Sequence, residues 1–163
     1  MNMSQLGLVE VHLIGGKGMK NVDFLGENDP YAILAYKTQK QKSKTLEGGG
    51  SNPVWKQKFY FKVDEEIDDV VIQVFDEDER TADDAIGEAR IPLSQVLEEL
   101  EVPATFYDLK QSSGKVCGQV EVALKFISKE EDLPHMPGAK NGHYVSHAHV
   151  DGPYGEDNGG GWQ

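Results

Sequence analysis

From Leu6 to Ile127 the sequence runs in short apolar stretches separated by turn-forming residues, with room for only one helix, near Leu93 to Leu100. Alternation with a period of two sends successive side chains to opposite faces of a strand, so this rhythm predicts an all-β sandwich or barrel. The stretch Gly118 to Ile127 reads most clearly: Val120, Val122, Leu124 and Phe126 share one face, and Gln119, Glu121, Ala123 and Lys125 the other. Further strands are expected near residues 7–14, 30–37, 41–45, 57–63, 69–75, 86–92 and 104–109, which makes eight with Gly118 to Ile127. Between Lys44 and Pro53 the run Gly48, Gly49, Gly50, Ser51, Asn52 cannot continue a ladder and is expected as a mobile loop.

At 163 residues the chain holds one ordinary domain and a remainder. The alternating pattern stops at Ser128, so a domain at 1–128 and a disordered, Gly- and His-rich tail at 129–163 are expected. His135, His143, His147 and His149 in that tail come with no cysteine, and a metal site there is discounted. Cys117 is the single cysteine, an economy that fits a reducing, cytoplasmic setting, and with no basic or long apolar run before Leu6 and with Asn2 where myristoylation needs glycine, neither a secretory leader nor a lipid anchor is expected. A net charge of −12 disfavours nucleic acid and anionic lipid unless a basic patch or a cation reverses the field locally.

The acidic residues are concentrated. From Asp76 to Glu88, seven of thirteen positions are Asp or Glu, opposed only by Arg80. A solvated acidic loop is the ordinary explanation of such a run. Yet Asp76 and Asp78 leave the end of a strand two residues apart and so project to one side, and Asp84 returns just before the next strand. Three carboxylates brought together repel one another unless a cation sits among them, and calcium, with six to eight oxygen ligands in flexible geometry, suits such a place. An EF-hand is excluded, since counting from Asp76 puts Thr81 at the glycine position and Gly87 at the bidentate glutamate position. A second pair, Asp23 and Asp29, brackets the connection between the first two strands. If both loops lie at one end of the fold, five carboxylates converge.

Taken in order, Asp23 with Asp29-Pro30-Tyr31, then Asn52-Pro53-Val54-Trp55, then Asp76-x-Asp78 with Asp84-x-Ile86-Gly87, the chain resembles the C2-domain family over Leu6 to Ile127. The resemblance implies an eight-stranded antiparallel β-sandwich of the phospholipase C (type II) topology. It also implies calcium, as two ions, held by the side chains of Asp23, Asp29, Asp76, Asp78 and Asp84 and by the carbonyls of Val22 and Glu77, with Asp83 in an outer position. Within the family the chain is similar to small single-domain plant proteins of the elicitor-responsive and small phloem protein kind.

The function so implied is calcium-dependent binding to anionic phospholipid, by a monomer that moves from cytoplasm to the plasma membrane when calcium rises, in signalling or defence. Phe24 and Leu25 lie between two ligand positions, where a core role is hard to arrange, and are expected to insert into the bilayer. Lys40, Lys42 and Lys44 alternate along one strand, with Lys37 before them and Lys56, Lys58 and Lys62 on the next; they are expected to gather on one sheet face as a phosphoinositide site. Lysines on an exposed strand also guard against edge pairing, which leaves a second account of them. No nucleophile comes with an identifiable base and oxyanion arrangement, so an enzyme is not expected. The alternative function is a calcium-independent adaptor taking a protein or RNA through the lysine strands and tail, with the acidic net charge set against RNA.

Overall fold

The computed structural model describes residues 5–23 and 26–128. The strands are β1 (Gln5–Lys17), β2 (Pro30–Tyr36), β3 (Gln39–Lys42), β4 (Val54–Asp64), β5 (Val70–Asp76), β6 (Asp84–Ile91), β7 (Glu101–Lys110) and β8 (Val116–Ser128), with one helix, α1 (Ser94–Glu99), between β6 and β7. The expected tail at 129–163 and the pair Phe24 and Leu25 lie outside the described residues.

Every strand pair is antiparallel, in the order β3-β2-β5-β6-β7-β8-β1-β4. The order divides at its weakest joint: β6 and β7 pair only at Glu88 with Lys110. On one side of that joint stand β3-β2-β5-β6 and on the other β7-β8-β1-β4, two layers of a sandwich. The N-terminal strand lies between β8 and β4, so the last strand occupies the place beside it that the phospholipase C topology requires.

Alternation puts Val9, Val11 and Leu13 of β1, Phe59, Phe61 and Val63 of β4, and Val120, Val122 and Leu124 of β8 into the space between the layers. Ala32, Leu34 and Tyr36 of β2 and Ile72 and Val74 of β5 meet them from the other layer. Phe59 and Phe61 are both essentially fully buried, and truncating a residue of that size in a close-packed core costs roughly 3–5 kcal/mol.

The two ends of the strand order are also joined, by side chains in place of a ladder. Gln39 of β3 donates to Lys62 O (2.8 Å) and accepts from Lys62 N–H (2.9 Å), and Gln41 donates to Tyr60 O (2.8 Å) on β4. In return Gln57 Oε1 accepts from Lys44 N–H (3.0 Å), and the Trp55 indole donates to Lys44 O (3.1 Å). This seam explains why β3 ends at Lys42 and not near residue 45: Ser43 still donates to Ala32 O (2.8 Å), but at Lys44 the chain turns its backbone to β4. Lys40 and Lys42 of β3, Lys44 just after it, and Lys56, Lys58 and Lys62 of β4 are exposed on strands either side of the seam, while Lys37 pairs with Asp64 at 3.1 Å.

Candidate functional site

Three loops meet at one end of the sandwich: residues 18–29 between β1 and β2, 43–53 between β3 and β4, and 77–83 between β5 and β6. The first is built around Asn28, whose side chain is fully buried. Its Oδ1 accepts from the N–H groups of Val22 (3.0 Å) and Asp23 (3.2 Å), and its Nδ2 donates to Lys20 O (2.8 Å). These bonds fold the loop back on itself and set Val22 and Asp23 near the start of β2. Sequence reasoning passed over Asn28; only its place immediately before Asp29-Pro30 could have marked it.

The second loop closes onto the first. Gly48 N–H donates to Asp29 Oδ1 (2.7 Å), Gly50 N–H to Asn28 O (3.0 Å), Leu46 N–H to Pro30 O (3.0 Å), and Met19 N–H to Ser51 O (3.0 Å). Asn52 Oδ1 accepts from Gly18 N–H (3.0 Å). The stretch expected to be mobile is therefore tied to its neighbour at both ends and the middle. Its glycines serve this directly, since Gly48 and Gly50 take the left-handed backbone (φ 66° and 68°) that presents their N–H groups inward.

The first and third loops are clamped by the same ladder that pairs β2 with β5. Pro30 stands opposite Asp76, and Asp76 opposite Asp84 across β5 and β6. Asp76 Oδ1 accepts from Asp29 N–H (2.7 Å), and Glu77 N–H donates to Asp29 O (3.0 Å). Asp76 is 3% exposed, and burial pushes its carboxyl above the ordinary carboxylate range; the Asp29 N–H draws it down, and the charges of Asp23, Asp29 and Asp84 push it up again. Three of the other expected aspartates, Asp23, Asp29 and Asp84, thus act on Asp76 at this end.

Asp78 and Asp83 are occupied differently. Asp78 is held below its usual value by the N–H of Arg80 (2.9 Å) and then by the hydroxyl of Thr81 (2.9 Å), both in its own loop. Asp83 is held low by the Tyr31 hydroxyl and by Asp78 N–H (2.9 Å), and burial with that partner carries the Tyr31 phenol up to about 12. Tyr31 stacks on Phe75 with ring centroids 5.5 Å apart, and the Lys42 ammonium lies 4.3 Å from its ring centre. Asp83 therefore braces the third loop against β2, a position outside the group of Asp23, Asp29, Asp76 and Asp84.

Among the described residues no three Asp, Glu, His or Cys side chains stand in a geometry that holds a metal ion as it is. The donor set nevertheless fits a hard cation in kind and place: oxygen ligands only, from two loops, around a buried carboxylate whose surrounding charges are all negative. Asp78, bonded to Arg80 and Thr81 in its own loop, is not among the groups that act on Asp76. Val22 and Glu77 adjoin this group in the chain, Val22 beside Asp23 and Glu77 beside Asp76, and their N–H groups donate to Asn28 Oδ1 and to Asp29 O.

The C2 domain family model matches residues 7–109, most of the described sandwich. "16 kDa phloem protein 2" of Arabidopsis thaliana is 41% identical over 124 residues, covering 76% of this chain and 84% of that protein. "Elicitor-responsive protein 3" of Oryza sativa subsp. japonica is 37% identical over 125 residues, covering 77% of this chain and 86% of its own. Among solved structures, a "C2 domain-containing protein from putative elicitor-responsive gene" superposes with a TM-score of 0.67 at 39% identity, over 80% of this chain and 96% of that one. With the sandwich, its strand order and the three-loop end already in place, the chain belongs to the C2-domain family.

Proposed function

We propose that this C2 domain binds phospholipid membranes in response to calcium. The observation that carries the reading is Asp76: a carboxylate 3% exposed, raised by burial and by Asp23, Asp29 and Asp84, with no cation among the groups that act on it. Such a group is costly unless a dication joins it. Two calcium ions held by Asp23, Asp29, Asp76, Asp78 and Asp84, with the carbonyls of Val22 and Glu77, would remove about four negative charges from this end and keep open positions for lipid phosphate oxygens. The protein's own part is to present oxygens, to keep Asp76 dry, and to release Asp78 from its loop.

Calcium-dependent phospholipid binding is a general property of the family. Phe24 and Leu25, which stand in the sequence between Asp23 and Asp29, are proposed to enter the bilayer beside the ions. The chain acts by binding and not by catalysis, at the cytoplasmic face of the plasma membrane when calcium rises; two of its relatives are named for the phloem and for response to elicitors, which supports a role in plant signalling or defence.

Calcium titration by calorimetry, without lipid, tests the reading. Wild type is expected to bind, and Asp76→Asn to bind at least tenfold more weakly, the loss of one charged ligand being worth more than about 1.4 kcal/mol. No heat of binding in the wild type would remove the proposal.

A further inference from the structure

The loop end of the sandwich has a fourth connection, the turn at residues 111–115 between β7 and β8. Gln111 N–H donates to Lys115 O (2.9 Å) and Gly114 N–H to Gln111 O (2.8 Å), with Gly114 in the left-handed backbone (φ 89°), so the turn is tight and closed on itself. Its exit is packed between the first and third loops. Cys117 O accepts from Lys20 N–H of the first loop (3.0 Å), and the Cys117 thiol lies 3.0 Å from Ile86 O, two residues after Asp84. Gly118 lies so close under the first loop that a Cβ on it would stand 2.7 Å from Met19 Cα.

Three lysines gather at this turn. Lys115 belongs to it, Lys110 stands opposite Val116 across β7 and β8, and Lys20 is fixed beside Cys117 by its backbone bond, near enough for its charge to reach the thiol. All three are exposed, and among the described residues no carboxylate forms an ion pair with any of them: Glu88, which faces Lys110 in the ladder, lies 3.5 Å from Arg90 instead. Val116, next to one of these lysines and opposite another, is 49% exposed, while Val120 and Val122 further along β8 are buried. The first and third loops, by contrast, add Glu27, Glu77 and Glu79 to their aspartates and, apart from Lys20, hold the single cation Arg80. A basic and partly apolar corner thus stands on an acidic rim.

We propose that this corner, made of Lys20, Lys110, Lys115 and Val116, is a fourth membrane contact that engages anionic lipid once calcium has neutralised the aspartates beside it. The inference rests on the calcium- and membrane-binding reading and adds to it a surface outside the three loops. The occupant is the bilayer because the corner is continuous with the end that the loops present to lipid, carries the opposite charge to that lipid and exposes an apolar side chain at its centre. Lys20 is three residues from Asp23, at most about 10 Å along the chain, which is about one Debye length. Without calcium the carboxylates therefore offset the attraction of the three ammonium groups. With about four negative charges removed, the corner acts, and it tilts the domain so that the β7–β8 turn rests on the headgroups.

The test uses the full chain with phosphatidylcholine vesicles containing phosphatidylserine, at saturating calcium. Lys110→Gln/Lys115→Gln is expected to lower the vesicle partition roughly fivefold per lysine, and Lys110→Arg/Lys115→Arg to retain it, while the calcium affinity of both without lipid stays that of wild type. A polarity-sensitive fluorophore on Ser113→Cys, with the buried Cys117 left unlabelled, is expected to shift to the blue only when vesicles and calcium are both present. The same label on Glu65→Cys, at the opposite end of the sandwich, is expected not to shift. Wild-type pelleting with calcium together with an unchanged partition of the Gln pair, or a label at residue 113 that stays in water, overturns the corner and leaves the calcium reading standing. A Gln pair whose calcium affinity without lipid falls in step with its partition places the effect in the aspartates and likewise overturns the contact. A wild type that fails to pellet with calcium overturns the membrane reading and the corner with it.

Discussion

Asn28 shows how much of the loop end depends on one side chain. It is fully buried and bonds to Val22, Asp23 and Lys20, so replacing it with alanine takes this partner from the part-buried Val22 N–H and from the Lys20 carbonyl and leaves Asp23 N–H with its weaker support from Asn21 Oδ1 (3.1 Å). Asn28→Ala is expected to lower stability by about 2–3 kcal/mol in urea titration and to weaken calcium binding, because Asp23 loses its support. An intact loop with wild-type calcium affinity would contradict this role. His12 makes a different prediction. Burial first, then Lys58, lowers its pKa, with Lys56 acting in the same direction and Glu10 and Glu121 opposing. The folded protein therefore binds the proton less readily than the unfolded chain. The stability due to neutral His12 is present above about pH 6.5 and is lost as pH falls through the lowered folded value. Denaturant titrations at a series of pH values should show this loss in wild type and a smaller one in His12→Gln; equal slopes would exclude the histidine as its source.

Among the elements, the joint between β6 and β7 is where the two layers meet with least backbone support. Cys117 fills it: its thiol lies 3.0 Å from Ile86 O and 3.4 Å from Leu109 O, and burial raises its pKa, so it acts as a small core side chain. A Cβ on Gly87 would stand 2.6 Å from that sulfur. Gly87→Ala is expected to cost about 1–3 kcal/mol, and much of the cost should vanish on a Cys117→Ala background. Additive losses in that double-mutant cycle would place the strain elsewhere. Strand positions were legible because alternation is strong: β8 and β5 keep their apolar faces inward almost residue for residue, as in Val70, Ile72 and Val74. The ends of strands were not, since they are set by partners distant in sequence. β3 stops early because Lys44 bonds to Gln57 and Trp55, and Phe126 is half-buried although it continues the alternation of Val122 and Leu124, its N–H drawn to Leu100 O at 2.8 Å.

For the whole molecule, the spacing of Asp29, Asp76 and Asp84 carried much of their meeting, because these three sit at strand ends and strand ends of a sandwich meet at its rims, while Asp23 reaches them from within the loop between β1 and β2. What spacing could not convey is rotamer and charge balance. Asp78 bonds within its own loop, and Asp83 braces Tyr31, arrangements that depend on hydroxyls and N–H groups brought in by folding. The lysines were legible as alternating residues, while nothing local to β3 or β4 says that these strands bond across a seam. The acidic loop end is the proposed seat of the response to calcium. Sedimentation with phosphatidylserine vesicles across a calcium titration, with wild type beside Asp76→Asn/Asp78→Asn, tests it most directly. Pelleting that rises with calcium in the wild type and fails to rise in the double variant is the predicted result; pelleting that ignores calcium, or a double variant that responds as wild type does, would contradict it.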